Sequence, residues 1–253
     1  MDPNLKLSIQ ALEGLPEFQP GDNLAFEILA AAHRDDHTWT DHTILVIAQK
    51  VISKAEGRIV DLRTIEPSKR ARRFAEEYEK DPRLVELVLQ QSRRVLRMER
   101  GVLISETHHG FVCANAGIDR SNVPGEHAAL LLPEDPDSSA ASIRKKLVAA
   151  TGADCAVIIS DSFGRPWRVG QVDVAIGVAG IAPLDDRRGG VDRQGRTLNA
   201  TCIAIADELA AAAGLLMRKD AGRPVVLIEG FNSLANTGKA ADLLRDSDKD
   251  LFR

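Results

Sequence analysis

Cysteine is scarce, positive charge is not in excess, and no long apolar run is uninterrupted. The 253 residues hold three cysteines, Cys113, Cys155 and Cys202. An odd number, widely spaced among apolar neighbours, argues against a disulfide framework and a zinc knuckle; it reads as buried, reduced thiols of a cytoplasmic protein. Basic residues number 33 against 37 acidic ones, a net charge of −4. That balance offers no electrostatic footing for nucleic acid or an anionic membrane surface. The most apolar helical segment, around 202–217, is broken by Asp207 and Glu208, so it is a core helix and not a membrane span. The start MDPNLKLSIQ has no basic stretch followed by an apolar core, so no secretory signal is expected.

The familiar catalytic and nucleotide signatures are missing as well. No GxxxxGK[ST] occurs, no GxGxxG follows a strand, and there is no G-x-S-x-G, HExxH or CxxC. What remains is ordinary globular material, 44% hydrophobic and 28% charged, long enough to bury a core as one large domain or two small ones.

Strands and helices alternate along the chain. LEGLPEFQPGD (12–22) is a proline- and glycine-punctuated loop, and the spacing of Leu24, Ile28 and Ala31 predicts a helix over 23–34. TILVIAQ (43–49) predicts a buried strand and GRIVDL (57–62) a second. Residues 67–80 predict a charged helix capped by Ser68. Asp81-Pro82 then opens another, whose apolar spacing carries through LVELVLQQSRRVL (84–96). GVLISE and GFVCANAG flank His108-His109 as a hairpin; two adjacent strand histidines face opposite ways and rarely share a metal. A helix over 135–152 ends at a glycine. Strands are expected at AVIIS (156–160), 172–183 and 225–230, a long helix at 199–217, and a short one at KAADLLRD (239–246) in a polar tail. The fold class is α+β, a mixed arrangement with no internal repeat and no linker that cleanly splits it.

Four loops gather groups suited to anions or cations. AQKVISKAEGR delivers Lys50, Ser53 and Lys54 from the end of a strand; lysine serves phosphate as a point charge, although alone this is a solvated strand end. AGIDRSNVPG sets Asp119 near Asn122, as a hard cation beside a phosphate would need, or as a plain Asx-turn would give. AVIISDSFGRPWR places Asp161 and Ser162 just past a strand, with Gly164 for close approach and Arg165 and Arg168 to clamp an anion. Trp167 is either core or substrate wall. DDRRGGVDRQGR holds Asp186, Asp192, Arg193 and Arg196, a second anion site or an exposed charged loop.

Taken in order, GLPEFQPGD, AQKVISKAEGR, AGIDRSNV, SDSFGRPWRVGQVDVAIGVAG, DDRRGGVDRQGR and ADELAAAA resemble the coenzyme F420:L-glutamate ligase family over roughly 12–230. The resemblance implies a two-domain fold in an intertwined homodimer, with one ligase unit of two packed subdomains over 1–232 and a tail over 233–253. It implies GTP held by Leu15, Pro16, Glu17, Phe18, Gln49, Lys50, Lys54 and Asn122. It implies manganese or magnesium at Asp119, Asp161 and Ser162, and potassium as a further cation. Lys219 stands where the family has a metal-binding glutamine. A lysine ammonium cannot ligate a cation, so either the Lys219 carbonyl or Asp220 takes that place. With about two dozen residues after Gly230, the resemblance is to the form without an appended flavin-binding domain.

The implied reaction joins L-glutamate to the carboxylate of F420-0. GTP phosphorylates the carboxylate, the glutamate amine displaces phosphate, and further γ-linked glutamates follow. Among the implied catalytic residues Lys54, Asp161 and Arg165, Lys54 stabilises phosphate charge and Asp161 holds a cation at the γ-phosphate, while Arg165, with Arg168 and Arg193, orients acceptor or glutamate. The same acidic loops would also serve a metal-dependent GTP or phosphoester hydrolase, or a nucleotide-binding module without catalysis.

Overall fold

The computed structural model describes residues 6–218, 220–232 and 237–251. In chain order its first half runs β1 (Ser8–Ala11), α1 (Leu24–Arg34), β2 (Ile44–Ala48), α2 (Gln49–Ala55), β3 (Ile59–Asp61), α3 (Lys69–Glu77), α4 (Pro82–Gln90), β4 (Ser92–Glu99), β5 (Val102–Thr107) and β6 (Val112–Ala114). There follow β7 (Ala128–Leu130), α5 (Pro136–Thr151), β8 (Ala156–Arg165), β9 (Arg168–Ala179), β10 (Asp185–Asp186), β11 (Cys202–Ile203), α6 (Ile205–Met217) and β12 (Val225–Glu229). The mixture of helix and sheet is the expected one.

A five-stranded sheet, ordered β1-β12-β2-β8-β9, forms the centre. Only β2 and β8 run parallel; the other neighbours are antiparallel. The runs ILVIA and VVLIE are apolar without alternation because both faces of these strands are covered. Leu45, Ile47, Val157 and Leu227 pack with Ile28 of α1 and Ile143 and Leu147 of α5. Ile44, Val46, Ile158 and Val226 point the other way, onto Leu209 and Ala213 of α6. A smaller antiparallel sheet, β4-β5-β6, carries α3 and α4 over Phe74, Val85, Val88 and Leu103. The pair β3-β7 joins Leu62, Leu87 and Leu131 in a fourth apolar cluster.

Three helix starts follow their capping residues. Ser68 accepts from Ala71 N–H, Asp81 from Arg83 N–H, and Asp135 from Ser138 N–H. Elsewhere the structure corrects the reading. Residues 49–55 are not a loop but α2, which no side chain caps at Ala48; it forms because Val51 and Ile52 bury against the sheet. The helix predicted through 84–96 stops at Gln90, where the Ser92 hydroxyl takes the Val88 carbonyl at 2.5 Å and β5 offers SRRVL a strand partner. AVIIS continues to Arg165 because β9 pairs with it throughout, and β9 itself spans 168–179 in place of 172–183. α6 begins at Ile205, since Cys202 and Ile203 pair with β10 first. Cys113 and Cys155 are buried, but Cys202 is exposed. In the tail the predicted helix is a single 3-10 turn, Ala240–Leu243, whose Ala240 is buried in the main core.

That turn is tied down by Asp137, in the first turn of α5. Its Oδ1 accepts from Val178 N–H at 2.8 Å and from Ala240 N–H at 3.1 Å, joining α5, β9 and the tail. Asp137→Ala strands both donors. At roughly 1–2 kcal/mol for each donor left without a partner, a loss of about 2–4 kcal/mol is expected. A thermal melt should fall by roughly 5–10 °C; an unchanged midpoint would show that water replaces the carboxylate freely.

Candidate functional site

Open sheets bind ligands beyond the carboxyl ends of their parallel strands. Here β2 and β8 are the parallel pair, and a cleft of about 1000 Å³ opens past Ala48 and Ser160. Four of its walls come from distant stretches of chain. The loop carrying Leu15, Pro16, Glu17 and Phe18 forms one, anchored by the buried Phe18 ring. α2 starts directly from β2 and contributes Gln49, Lys50 and Lys54. The segment after β6 contributes Asp119 and Asn122, and β8 with β9 contributes Asp161, Ser162 and Asp173. α6 closes the floor at Gly214 and Met217.

The two lysines are held differently. Lys50 Nζ lies 2.8 Å from Asp119 Oδ2 and donates to the Ser121 carbonyl at 2.7 Å and its hydroxyl at 2.9 Å. Lys54 is 7% exposed, and its ammonium meets Glu17 Oε2 at 2.8 Å. The Ser53 hydroxyl donates to Gln49 Oε1 at 2.8 Å, fixing the amide one helical turn away.

The carboxylates differ just as much. Burial alone would raise Asp119, but the Lys50 ammonium and the Ser121 N–H more than offset it, so its carboxyl titrates below the ordinary range. Burial pushes Asp161 up to about 7; the Ser162 N–H pulls against this, while the negative Asp119 and Asp173 reinforce it. Cys113, beside Asp161, is pushed up to about 12, first by burial and then by that carboxylate. It is an inert thiol in the cleft wall.

Among the described residues no three His, Cys, Asp or Glu side chains are already drawn together as a metal cluster. The donor chemistry nevertheless fits a hard divalent cation. Asp119 is paired with the Lys50 ammonium, while Asp161, held protonated to about pH 7 chiefly by burial, also feels the negative charge of Asp119 and Asp173. Carboxylate and hydroxyl oxygens, including Ser162 Oγ, are what magnesium and manganese take.

One wall is strained. Asn115, Ala116 and Gly117 are all left-handed, with φ of 53°, 52° and 70°. For the first two this costs roughly 1–2 kcal/mol each. At Gly117 a side chain would also meet Leu132 at 2.8 Å.

The other sequence candidates lie apart. Asp161 and Ser162 are inside a long strand, not past its end, and the hairpin beyond them projects as an arm. Arg165 donates to Val169 O at 3.0 Å within that arm, and Arg168 lies exposed on it. Trp167, at the turn, is 79% exposed, so it is not core. Arg193 sits in an exposed loop where Asp186 pairs with Arg188 and Asp192 accepts from its own turn. None of these arginines lines the cleft. Asp220 does, with its carboxylate 3.3 Å from Arg218; Lys219 lies outside the described residues. Sequence reasoning missed Asp173. The hairpin signal GRPWRVG could have found it, because antiparallel pairing about that turn sets Asp173 opposite Ser162.

Comparison with known proteins gives the family. The family model described as F420-0:Gamma-glutamyl ligase matches residues 14–230. A coenzyme F420:L-glutamate ligase of Methanothermobacter thermautotrophicus is 47% identical over 98% of this chain and 99% of its own. Its namesake in Methanocaldococcus jannaschii is 43% identical over 98% and 97%, and that of Haloarcula marismortui 40% over 98% and 96%. The cleft residues from Leu15 to Asp173 all fall inside the matched stretch, and the chain belongs to the F420-0:gamma-glutamyl ligase family.

Proposed function

We propose that the chain joins L-glutamate to the carboxylate of F420-0, consuming GTP, and then extends the product with γ-linked glutamates. The observation that carries this is the meeting of Lys50 and Lys54 with Asp119, Asp161 and Ser162 in one cleft large enough for a nucleotide and an acceptor. An amine does not displace hydroxide from a carboxylate, so the acid must be activated first. A carboxylate oxygen of the acceptor attacks the γ-phosphorus of GTP, and GDP leaves with the bridging oxygen. The glutamate amine then adds to the acyl carbon, loses its proton, and inorganic phosphate departs. Such transfers need charge neutralisation and alignment more than covalent chemistry.

The residues divide these tasks. Leu15–Phe18, Gln49 and Asn122 shape the nucleotide end. Lys50 and Lys54 oppose phosphate charge as fixed ammoniums. Asp119, Asp161 and Ser162 would hold manganese or magnesium, which supplies Lewis-acid neutralisation of phosphoryl oxygens when bound. Potassium belongs to the same reading, as does a cation ligand from the Lys219 carbonyl or from Asp220 in place of the family's glutamine. The homodimer does too: Val169 at the arm tip is 99% exposed, apolar surface that a second copy would cover, bringing Arg165 and Arg168 to an interface.

A single incubation tests the reading. Protein, GTP, manganese, L-glutamate and F420-0 are combined, and mass and phosphate are followed. The expected result is one glutamyl increment per GDP formed. Phosphate release without glutamate would make the protein a hydrolase, and nucleotide binding without reaction a non-catalytic module. Manganese with GTP at a hundredfold excess over Kd should add about 2.7 kcal/mol of stability. That predicts a melting temperature higher by roughly 5–10 °C, with ATP giving a smaller rise.

A further inference from the structure

Asp173 lies inside a motif that carries the family resemblance but is given no role by it, and it lines the cleft beside Asp161 and Ser162. It lies directly opposite Ser162 in the β8–β9 register, and the Ser162 hydroxyl donates to its Oδ1. Its other oxygen is pressed against α6, where Gly214 has no side chain. A Cβ at Gly214 would lie 2.3 Å from Asp173 Oδ2. The carboxylate is thus wedged between a hydroxyl and a helix backbone, and both neighbours line the cleft.

A serine hydroxyl has one proton and two acceptor lone pairs. Left free, it rotates among three staggered positions. With its hydrogen committed to Asp173, its lone pairs are left to whatever enters the cleft. A helix-interior glycine costs about 1 kcal/mol relative to alanine. Gly214 bears that cost in the otherwise favourable run ELAAAAGLL, and the space it leaves is the space Asp173 fills.

We propose that Asp173 is a positioning residue: it locks the Ser162 hydroxyl so that its oxygen is presented to a divalent cation, and Gly214 is glycine to admit it. This rests on the reading that Ser162 holds a cation.

The test is manganese binding to the full chain without nucleotide, read by electron paramagnetic resonance. Gly214→Ala keeps every polar group but pushes the carboxylate off Ser162. It should raise the manganese Kd about tenfold, the size of one net hydrogen bond. Placed on Ser162→Ala, the same change should alter Kd less than twofold. Equal effects in both backgrounds, or none in either, overturn the proposal. Should Gly214→Ala fold poorly, Asp173→Asn and Asp173→Ala give an independent reading. Both remove the charge, but only asparagine retains an acceptor for the hydroxyl. Asp173→Asn should bind manganese about tenfold tighter than Asp173→Ala, with the gap closing on Ser162→Ala; no gap overturns the proposal. Wild-type affinity in Ser162→Ala alone would instead sink the cation assignment of Ser162, and the inference with it.

Discussion

Asp161→Asn is expected to abolish turnover and, in metal-free protein at pH 8, to raise the melting temperature. The two effects share one cause. Burial, with Asp119 and Asp173 close by, lifts the Asp161 carboxyl to about 7. In the unfolded chain it titrates near 3.9. Because the folded value is the higher one, the native state holds the proton longer. The stability this confers is fully present below about pH 4 and is lost as the pH climbs to about 7. A gap of about three units corresponds to at most about 4 kcal/mol. Asparagine has nothing to ionise, and its Oδ1 still accepts the Ser162 N–H, so the variant escapes the loss. Melts at pH 8 should favour Asp161→Asn by several degrees, and melts at pH 4 should coincide. The wild type recovers its deficit only when a cation arrives; the variant should show little manganese-dependent shift. Below pH 7 the proton competes with that cation, and wild-type manganese affinity should drop about tenfold per pH unit. An Asp161→Asn protein that ligates at near wild-type rate, or melts lower at pH 8, would remove Asp161 from the cation site.

The legible parts of the fold were those where one local signal suffices. ILVIA and VVLIE announce buried strands because nothing polar interrupts them, and Ser68, Asp81 and Asp135 announce helices because each caps in place. Elements whose cause lies far away were harder to see. α2 has no capping side chain and only seven residues, and its existence depends on the sheet beneath Val51 and Ile52. SRRVL keeps helical spacing and becomes a strand only because β5 is beside it.

The site follows the same division. Lys50, Asp119 and Asp161 are each compatible with an ordinary turn when taken alone. Their common meaning comes from the parallel pairing of β2 with β8 and from β6 packing beside β8, neither of which a local window contains. Asp173 stayed hidden because a polar residue in VDVAIG looks like the solvent side of an alternating strand. Its neighbours Val172 and Val174 gave no hint that α6 would cover that face with a glycine. Arg165 and Arg168 were the reverse case: conspicuous chemistry beside Asp161 in sequence, carried away from it by a hairpin that runs on past the sheet.

Lys50→Met should move cation and nucleotide binding in opposite directions. Lys50 is the counter-charge of Asp119 and satisfies Ser121 twice, with both members of the ion pair mostly shielded from water. Its removal takes away the Lys50 hydrogen bond and charge that offset burial, so the Asp119 carboxyl should titrate higher than in the wild type, with the Ser121 N–H still pulling it down. In the wild type the depressed value stabilises the fold above about pH 4, a contribution that disappears as the pH falls through it. The variant lacks that contribution, and a loss of about 1–3 kcal/mol is expected at pH 7, less than for a fully buried pair. Manganese alone, by contrast, should bind about tenfold to a hundredfold tighter. The ammonium both occupies an Asp119 oxygen and repels an incoming cation, and two unit charges 4 Å apart interact by about 4 kcal/mol at an effective dielectric of 20. GTP should bind about tenfold weaker, because a phosphate loses a fixed positive charge. Calorimetric titration of each ligand separately decides the matter. If manganese and GTP affinities fall together, Lys50 serves only to hold the 119–122 turn in shape; if they separate, Lys50 is the switch of charge between the nucleotide and the cation, released from Asp119 when both are present.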